Sequence, residues 1–102
     1  MNVMIQVIDA ASQKKAAFKK LPVIIGRDST ADIRLDDPAV PPYQCMIGKG
    51  QSTHLTAWNL RTDTPMHVNG QEVSKADLLS GDRLTIGESQ LIVHYDLAGV
   101  GG

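Results

Sequence analysis

The residues of this sequence that could do chemistry are few and stand apart from one another. Three histidines, His54, His67 and His94, each lie alone in a strand-like segment, without a partner at metal-ligand spacing. We interpret them as ordinary strand residues. The single cysteine, Cys45, lies in an apolar run with no histidine or basic residue beside it. That setting predicts a buried, unreactive thiol and not a nucleophile.

Carboxylates are the second group with possible chemistry, and several cluster beside arginines. The cluster consists of Asp28, Asp32, Asp36 and Asp37, with Arg27 and Arg34 among them. Its spacing does not match an EF-hand calcium loop, so we interpret the aspartates as solvated or turn-capping residues. The sequence also lacks a G-x-S-x-G turn, a P-loop and an H-E-x-x-H motif. We therefore expect no catalytic residue, no metal and no cofactor, and we expect that the protein is not an enzyme.

Composition limits the remaining classes of function. The 102 residues suit one domain, and a formal net charge of −1 provides no overall basic field for nucleic acid or an anionic membrane. No apolar run is long enough to span a bilayer. The segment MNVMIQVIDA lacks the basic region and the cleavage site of a signal peptide. With a single cysteine, these features favour a cytoplasmic protein or the cytosolic domain of a larger one.

Short segments with period-two alternation fill the chain and must position whatever site exists. In NVMIQVI, Val3, Ile5 and Val7 share one face, and Asn69-Gly70 within MHVNGQEV is the strongest hairpin signal. Further segments of this kind are AAFKKLPVIIG, ADIRLDD, YQCMIG, HLTAWNL and DRLTIGESQLIVHY. The segment SKADLLSGD is compatible with a helical turn. Strands that recur about every 8 to 12 residues, with turns between them, predict an all-β sandwich or barrel.

Three glycine-containing blocks follow one another along the chain: VIIGRDSTADIRLDDPAV, NLRTDTPMHVNGQEV and LLSGDRLTIGESQLIV. Their order and spacing resemble the forkhead-associated (FHA) domain family over most of the chain, from Met4 to Tyr95. The resemblance implies a β-sandwich of about ten or eleven short, mainly antiparallel strands. It also implies binding of phosphothreonine peptides through loops at one end. We assign residues 1–96 to this domain and residues 97–102 to a flexible tail or the start of a linker.

The resemblance implies roles for the residues of the first block. Gly26-Arg27 matches the Gly-Arg of the family, whose arginine reaches the phosphate with a guanidinium suited to a dianion. Pro41 stands where the family has a serine, which gives hydroxyl and backbone donors to the phosphate; proline supplies neither. Gln44 stands where the family has a histidine that braces the loops. Asn69 and the glycine after it match the family.

The second block departs from the family pattern at several positions. Thr62 keeps the hydroxyl of the family serine. Asp63 replaces a residue that often donates to the phosphate, and Thr64 replaces the asparagine that clamps the ligand backbone. Pro65 replaces the glycine that follows. We expect Asp63, or Asp28, to form a salt bridge with Arg27. That salt bridge would hold the loops together.

These departures predict a degraded phosphate pocket on a retained fold. A phosphothreonine carries about −1.5 to −2 charges and needs several converging donors and cations. We therefore predict a non-catalytic protein–protein interaction module that is independent of phosphothreonine or depends on it weakly. The alternative is a genuine phosphothreonine-peptide reader with a divergent pocket centred on Arg27. The candidate ligand-binding residues are Arg27, Ser29, Thr30, Thr62, Asp63, Thr64 and Asn69.

Two further expectations concern the partner. Trp58 alternates out of phase with Leu55 and Ala57, so it either faces solvent at an interface or packs under a loop. A small barrel that binds single-stranded nucleic acid needs a basic groove with stacking aromatic residues. One tryptophan, two tyrosines, one phenylalanine and a net charge of −1 argue against that class. We expect a protein or peptide partner, no nucleic acid and no segment inserted in a membrane.

Overall fold

The computed structural model describes residues 2–11, 14–50 and 54–95, and these residues form two facing β-sheets. The predicted tail, residues 97–102, lies outside them. The strands of the described part are β1 (Asn2–Ile8), β2 (Lys14–Lys20), β3 (Val23–Gly26), β4 (Ile33–Arg34), β5 (Cys45–Lys49), β6 (Leu55–Asn59), β7 (Met66–Val68), β8 (Gln71–Val73), β9 (Lys75–Leu78), β10 (Arg83–Ile86) and β11 (Ser89–His94).

The two sheets have six and five strands. The first has the order β2-β1-β11-β10-β7-β8, and the second has the order β4-β3-β5-β6-β9. Neighbouring strands with a resolved register run antiparallel, except for the short parallel pair β3–β4. The predicted all-β sandwich of ten or eleven mainly antiparallel strands is therefore confirmed. Among the described residues, no helix is long and apolar enough to cross a membrane.

The core lies between the sheets and follows from the alternation of the strands. Val3, Ile5 and Val7 of β1 are buried, as the period of NVMIQVI predicts. Their antiparallel neighbour β11 buries Leu91 and Val93 in the same way. The remaining buried apolar side chains are Val23, Ile25, Ile33, Leu35, Val40, Cys45, Ile47, Leu55, Ala57, Met66, Leu78, Leu84 and Ile86. All of these strands except β2 and β8 therefore contribute buried side chains to a shared core.

The segment SKADLLSGD contradicts the prediction of a helical turn. Residues 75–78 form strand β9 and pair with β6, with Leu78 opposite Leu55. Both leucines are fully buried. Thr56, on the neighbouring row of β6, is also buried and donates its hydroxyl to Asp77 at 3.0 Å. Pairing with β6 decides the conformation, because the segment is too short for its own helical propensity to prevail.

The Asn69-Gly70 turn joins β7 to β8, as its sequence predicts. Both residues have positive φ, 51° and 86°, which a two-residue hairpin of this kind requires. The Asn69 side chain is used within this corner of the sandwich. Its amide donates to Asp82 at 3.1 Å, and its carbonyl oxygen accepts from the backbone N–H of Arg83 at 3.0 Å. Asn69 therefore fixes the hairpin against the start of β10.

A buried carboxylate ties the segment between β4 and β5 to the β10–β11 turn. Asp37 accepts hydrogen bonds from the hydroxyl of Ser89 at 2.8 Å, the backbone N–H of Ala39 at 2.9 Å and that of Glu88 at 2.8 Å. A side chain on Gly87 would lie 2.9 Å from the Asp37 carboxylate, and its φ is 58°. Glycine at this turn therefore makes room for the carboxylate that anchors the segment.

Replacing Asp37 by asparagine should lower the unfolding free energy and remove the part of its pH dependence that comes from this carboxylate. Burial alone would raise the pKa of the Asp37 carboxyl, but the hydrogen bonds from Ser89 and the two backbone groups hold the pKa below 3.8. The stabilisation is present above the unfolded-state pKa and is lost as pH falls through the lower native value. We expect Asp37→Asn to lose about 2 kcal/mol of unfolding free energy at neutral pH, measured by urea denaturation.

The exposed neighbour provides the control for this substitution. Asp36→Asn should leave the unfolding free energy within about 0.5 kcal/mol of wild type. The difference between Asp37→Asn and wild type should shrink as the pH is lowered below 3.8. Equal stability of the two variants at neutral pH would contradict the anchoring role of Asp37.

Candidate functional site

Three connecting segments meet at one end of the sandwich: residues 27–32, residues 35–44 and residues 60–65. The first two are joined by their backbones. Arg27 donates its N–H to the carbonyl of Pro41 at 3.0 Å, and Asp28 donates to that of Pro42 at 3.2 Å. The prolines lack N–H groups, and their carbonyls accept the hydrogen bonds that extend the β3 pairing. We call these three segments the loop end.

Residues 35–44, which we call the proline segment, approach so closely that position 26 must be a glycine. A Cβ atom at this position would lie 1.9 Å from the carbonyl oxygen of Pro42 and 2.9 Å from the Cα of Tyr43. Those atoms are backbone and cannot rotate away. The glycine before Arg27 therefore allows the two segments to pair, and this pairing places Arg27 at the edge of the loop end.

Arg27 is exposed and makes no ion pair with any residue that the structure describes. Its Nε donates to the carbonyl of Val40 at 3.0 Å, which fixes the side chain along the proline segment. The predicted salt bridge from Arg27 to Asp63 is absent from the described residues, because the Asp63 carboxylate pairs with another arginine. Asp28, the other predicted partner, follows Arg27 in the chain but forms no ion pair with it either.

Asp28, Thr30 and Tyr43 form a polar cluster beside Arg27. The Asp28 carboxylate accepts from the hydroxyl and the backbone N–H of Thr30 and from the Tyr43 hydroxyl. Hydrogen bonds from Thr30, followed by those from Tyr43 and the charge of Arg27, lower the pKa of Asp28 despite some desolvation. The Thr30 hydroxyl, which also contacts that of Tyr43, is therefore engaged inside the protein. Ser29 beside it is exposed.

Gln44 connects the proline segment to residues 60–65 from the buried side. Its side chain is fully buried and donates to the Asn59 side-chain oxygen at 2.6 Å and to the Thr64 carbonyl at 3.3 Å. Asn59 donates to the same Thr64 carbonyl at 2.9 Å, and its oxygen accepts from the N–H of Arg61 at 3.1 Å. Gln44 and Asn59 together hold the path of the loop that leads to Pro65.

Asp63 pairs with Arg61 within its own loop. The guanidinium and the carboxylate are 3.2 Å apart, and both side chains are largely exposed. The hydrogen bond and the charge of Arg61 lower the pKa of Asp63, so the carboxylate stays ionised. An arginine two residues before an aspartate is a signal that the sequence carried. The loop therefore presents a compensated ion pair.

The residues of the second block line a groove that does not include Arg27. Its volume is about 570 Å³, and it lies between residues 60–65 and the end of β8. The lining residues are Asn59, Arg61, Thr62, Asp63, Thr64, Pro65, Glu72, Val73 and Ser74. Thr62 and Pro65 are exposed, and Thr64 is half-buried. Six of the candidate residues thus fall into two groups, which Gln44 and Asn59 connect through the interior. The seventh, Asn69, lies apart in the β7–β8 hairpin.

The other residues with possible chemistry have structural surroundings. Cys45 is fully buried, and burial raises the pKa of its thiol to about 12, as expected for an unreactive cysteine. His94 forms a hydrogen bond with Gln6 at 3.0 Å. Within residues 2–11, 14–50 and 54–95, no group of three or more His, Cys, Asp or Glu side chains could hold a metal ion. Trp58 is half-buried in an apolar groove with Pro22 and Met46.

The chain is similar to FHA domains in sequence and in structure. The FHA domain model matches residues 23–87. An FHA domain solved in a study of phosphothreonine-dependent interactions is 26% identical, with a TM-score of 0.75 over 94% of this chain and 98% of that chain. The FhaA FHA domain, solved in complex with the intracellular domain of Rv3910, is 26% identical, with a TM-score of 0.73 over 90% and 99%.

A further structure shares the fold at lower identity. The FHA domain of CT664 from Chlamydia trachomatis is 17% identical, with a TM-score of 0.79 over 94% of this chain and 99% of that chain. A comparison with curated proteins gave no match.

The loop end should be sensitive to a methyl group at Gly26. We expect Gly26→Ala to lose about 3 kcal/mol or more of unfolding free energy, because the added Cβ meets backbone atoms that cannot move separately. Gly48→Ala is the matched control, since its Cβ would lie 3.4 Å from the Trp58 ring, an ordinary contact. Urea denaturation of both variants measures the difference. Similar stability of the two variants would contradict the close approach of Pro42.

Proposed function

This chain belongs to the FHA domain family of protein-interaction modules, and from that premise we propose that it binds a partner with weak or no dependence on phosphothreonine. The binding surface is the loop end, with the candidate residues Arg27, Ser29, Thr30, Thr62, Asp63 and Thr64. The module is non-catalytic and its partner is a protein or peptide. A cytoplasmic location is part of the proposal, and the single buried cysteine supports it.

The observation that carries this proposal is the backbone arrangement of Pro41 and Pro42. Neither residue has an N–H group, and both carbonyls are directed at the N–H groups of Arg27 and Asp28. The proline carbonyls therefore accept the hydrogen bonds of the two N–H groups of residues 27–28, and the prolines provide no N–H groups of their own. A phosphate dianion needs several donors to replace its hydration shell.

The charges and the hydroxyl groups at the loop end also support binding with weak or no dependence on phosphate. The Asp28 carboxylate follows Arg27 directly and is kept ionised, so it opposes the approach of a dianion. The Thr30 hydroxyl is engaged by that carboxylate and by Tyr43. Asp63 and Arg61 compensate one another, so their loop contributes no net positive charge.

Rigidity of the loop end supports binding without phosphate. Gln44 and Asn59 fix the loop path through the Thr64 carbonyl, and prolines restrict the backbone at positions 41, 42 and 65. A surface that is already ordered loses less conformational entropy when a peptide binds. The groove of about 570 Å³ beside residues 60–65 has the size and mixed lining that suit peptide side chains.

The second candidate function is a phosphothreonine reader centred on Arg27. One observation favours it: Arg27 makes no ion pair with the described residues, and its Nε bond to Val40 orients the guanidinium. Ser29 and Thr62 are exposed hydroxyls on the two loops. In this function Arg27 supplies most of the affinity for the phosphate.

Binding of paired peptides distinguishes the two functions. We expect phosphorylation of a threonine in a binding peptide to change affinity by less than about tenfold, or about 1.4 kcal/mol, in calorimetric titration. Arg27→Ala should change this ratio little, and Lys75→Ala, an exposed cation on the sheet, is the control. A preference of about a hundredfold that Arg27→Ala removes and Lys75→Ala keeps would establish the second function.

Restoring donors should create a dependence on phosphate. We expect the triple variant Pro41→Ser, Asp63→Thr and Thr64→Asn to gain about tenfold or more in affinity for phosphothreonine over threonine peptides, since each charge-assisted hydrogen bond contributes about 1.5–3 kcal/mol. The matched control replaces Pro42 by serine in place of Pro41. A folded triple variant without this gain would mean that the backbone path, and not the missing donors, closes the site.

A further inference from the structure

Strand β2 is an end strand of the six-stranded sheet and has an unusual sequence, KKAAFKK. Along one edge it pairs with β1 over its whole length. No strand of the described residues pairs with its other edge. A free edge presents a row of N–H and C=O groups that can template another extended chain. The edge is therefore a potential binding surface that lies away from residues 60–65.

The strands of this part of the sheet carry basic side chains and no acidic ones. The consecutive strands β2, β1, β11 and β10 contain no aspartate or glutamate, although the chain has 11 such residues. The cations on the same four strands are Lys14, Lys15, Lys19, Lys20 and Arg83. The net charge of −1 for the whole chain conceals this separation. The local field attracts an anionic partner even though the whole chain does not.

Phe18 is the apolar feature of the edge. It is 79% exposed, more than any other large apolar side chain that the structure describes as exposed. Lysines on an edge strand by themselves discourage the edge-to-edge pairing of sheets. An exposed phenylalanine between the two lysine pairs favours contact with another chain, because it adds apolar surface where that chain would lie. The combination is typical of a surface that admits one kind of strand and repels others.

The register with β1 divides the lysines between two faces. Lys14 and Lys20 lie on the face of Phe18, because residues an even number of positions apart on a strand share a face. Lys15 and Lys19 lie on the opposite face, and Lys15 donates to the Arg34 carbonyl of β4 at 2.7 Å. A flat lipid surface would contact only one of the two rows. An extended chain along the edge has acidic side chains on both faces and can reach both rows.

We propose that the free edge of β2 is a second binding surface, which takes an extended acidic segment of a partner protein by strand addition. Backbone hydrogen bonds along the edge give the affinity, while the two lysine rows and Phe18 select acidic and apolar side chains. A second copy of this chain is a poorer occupant. The other end strands, β4, β8 and β9, have two, three and four residues against the seven of β2, and their acidic side chains are Glu72 and Asp77.

A designed peptide tests this surface directly. The probe is a fluorescein-labelled peptide that repeats two glutamates followed by two valines, which places carboxylates on both faces of an extended chain. Its control has glutamine in place of each glutamate, and both are measured by fluorescence anisotropy. We expect the acidic peptide to bind at least about tenfold more tightly than the control. Its affinity should fall as salt is raised. Amide shifts in the NMR spectrum of the wild-type protein should map to β2 and β1.

Variants separate the edge from the loop end. We expect Lys14→Glu with Lys20→Glu to weaken binding by about tenfold or more. Phe18→Ser should weaken it by a smaller factor. The charge-matched control Lys49→Glu with Lys75→Glu, on the other sheet, should bind like wild type. Arg27→Ala should also bind like wild type, so the edge is tested independently of the loop end.

Other outcomes would overturn the proposal. Equal binding of an acidic peptide methylated at alternate backbone nitrogens would exclude strand addition, because methylation removes the donors on one edge. Binding to phosphatidylserine vesicles without binding to the peptide would identify a membrane surface instead. Self-association in sedimentation that Lys14→Glu with Lys20→Glu abolishes would identify a second copy as the occupant. Amide shifts confined to residues 27–44 and 60–65 would also overturn the proposal.

Discussion

The close contact between the end of β3 and the proline segment is the constraint on which the loop end depends. At Gly26 no space exists for a Cβ atom, because the Pro42 carbonyl oxygen would lie 1.9 Å away. The same approach directs the N–H of Arg27 to the Pro41 carbonyl and the arginine side chain along Val40. One backbone pairing thus orders the loop end, positions its arginine and engages the backbone N–H groups of Arg27 and Asp28.

The charges of the chain are arranged in separate regions. At the loop end, Asp28 opposes the charge of Arg27, and Asp63 is compensated by Arg61. At the edge of the first sheet, the lysines of β2 have no acidic residue on the neighbouring strands β1, β11 and β10. The loop end therefore has no excess of basic residues, whereas the edge of the first sheet carries the concentrated positive charge.

Sequence reasoning predicted the features that one-sided burial or a local turn determines. Alternation predicted β1, and Asn69-Gly70 predicted its hairpin, because both depend on neighbouring residues. It failed for β9, since only pairing with β6 makes residues 75–78 extended. At the candidate site, the resemblance to the family singled out Arg27, and its role in binding stays a prediction. Arg61, two residues before Asp63, was a local signal for their ion pair. The engagement of Thr30 by Tyr43 depends on loop paths, which spacing does not contain.

The phosphorus-31 NMR titration of a phosphothreonine peptide with pH, in the absence and presence of excess protein, tests the central claim most directly. Converging donors and cations favour the dianion and lower its second pKa, which is about 6 in the free group. If the loop end has too few free donors to bind the phosphate, the titration midpoint of the phosphate is the same in both samples. A midpoint moved to lower pH by the protein, and restored by Arg27→Ala, would contradict the account.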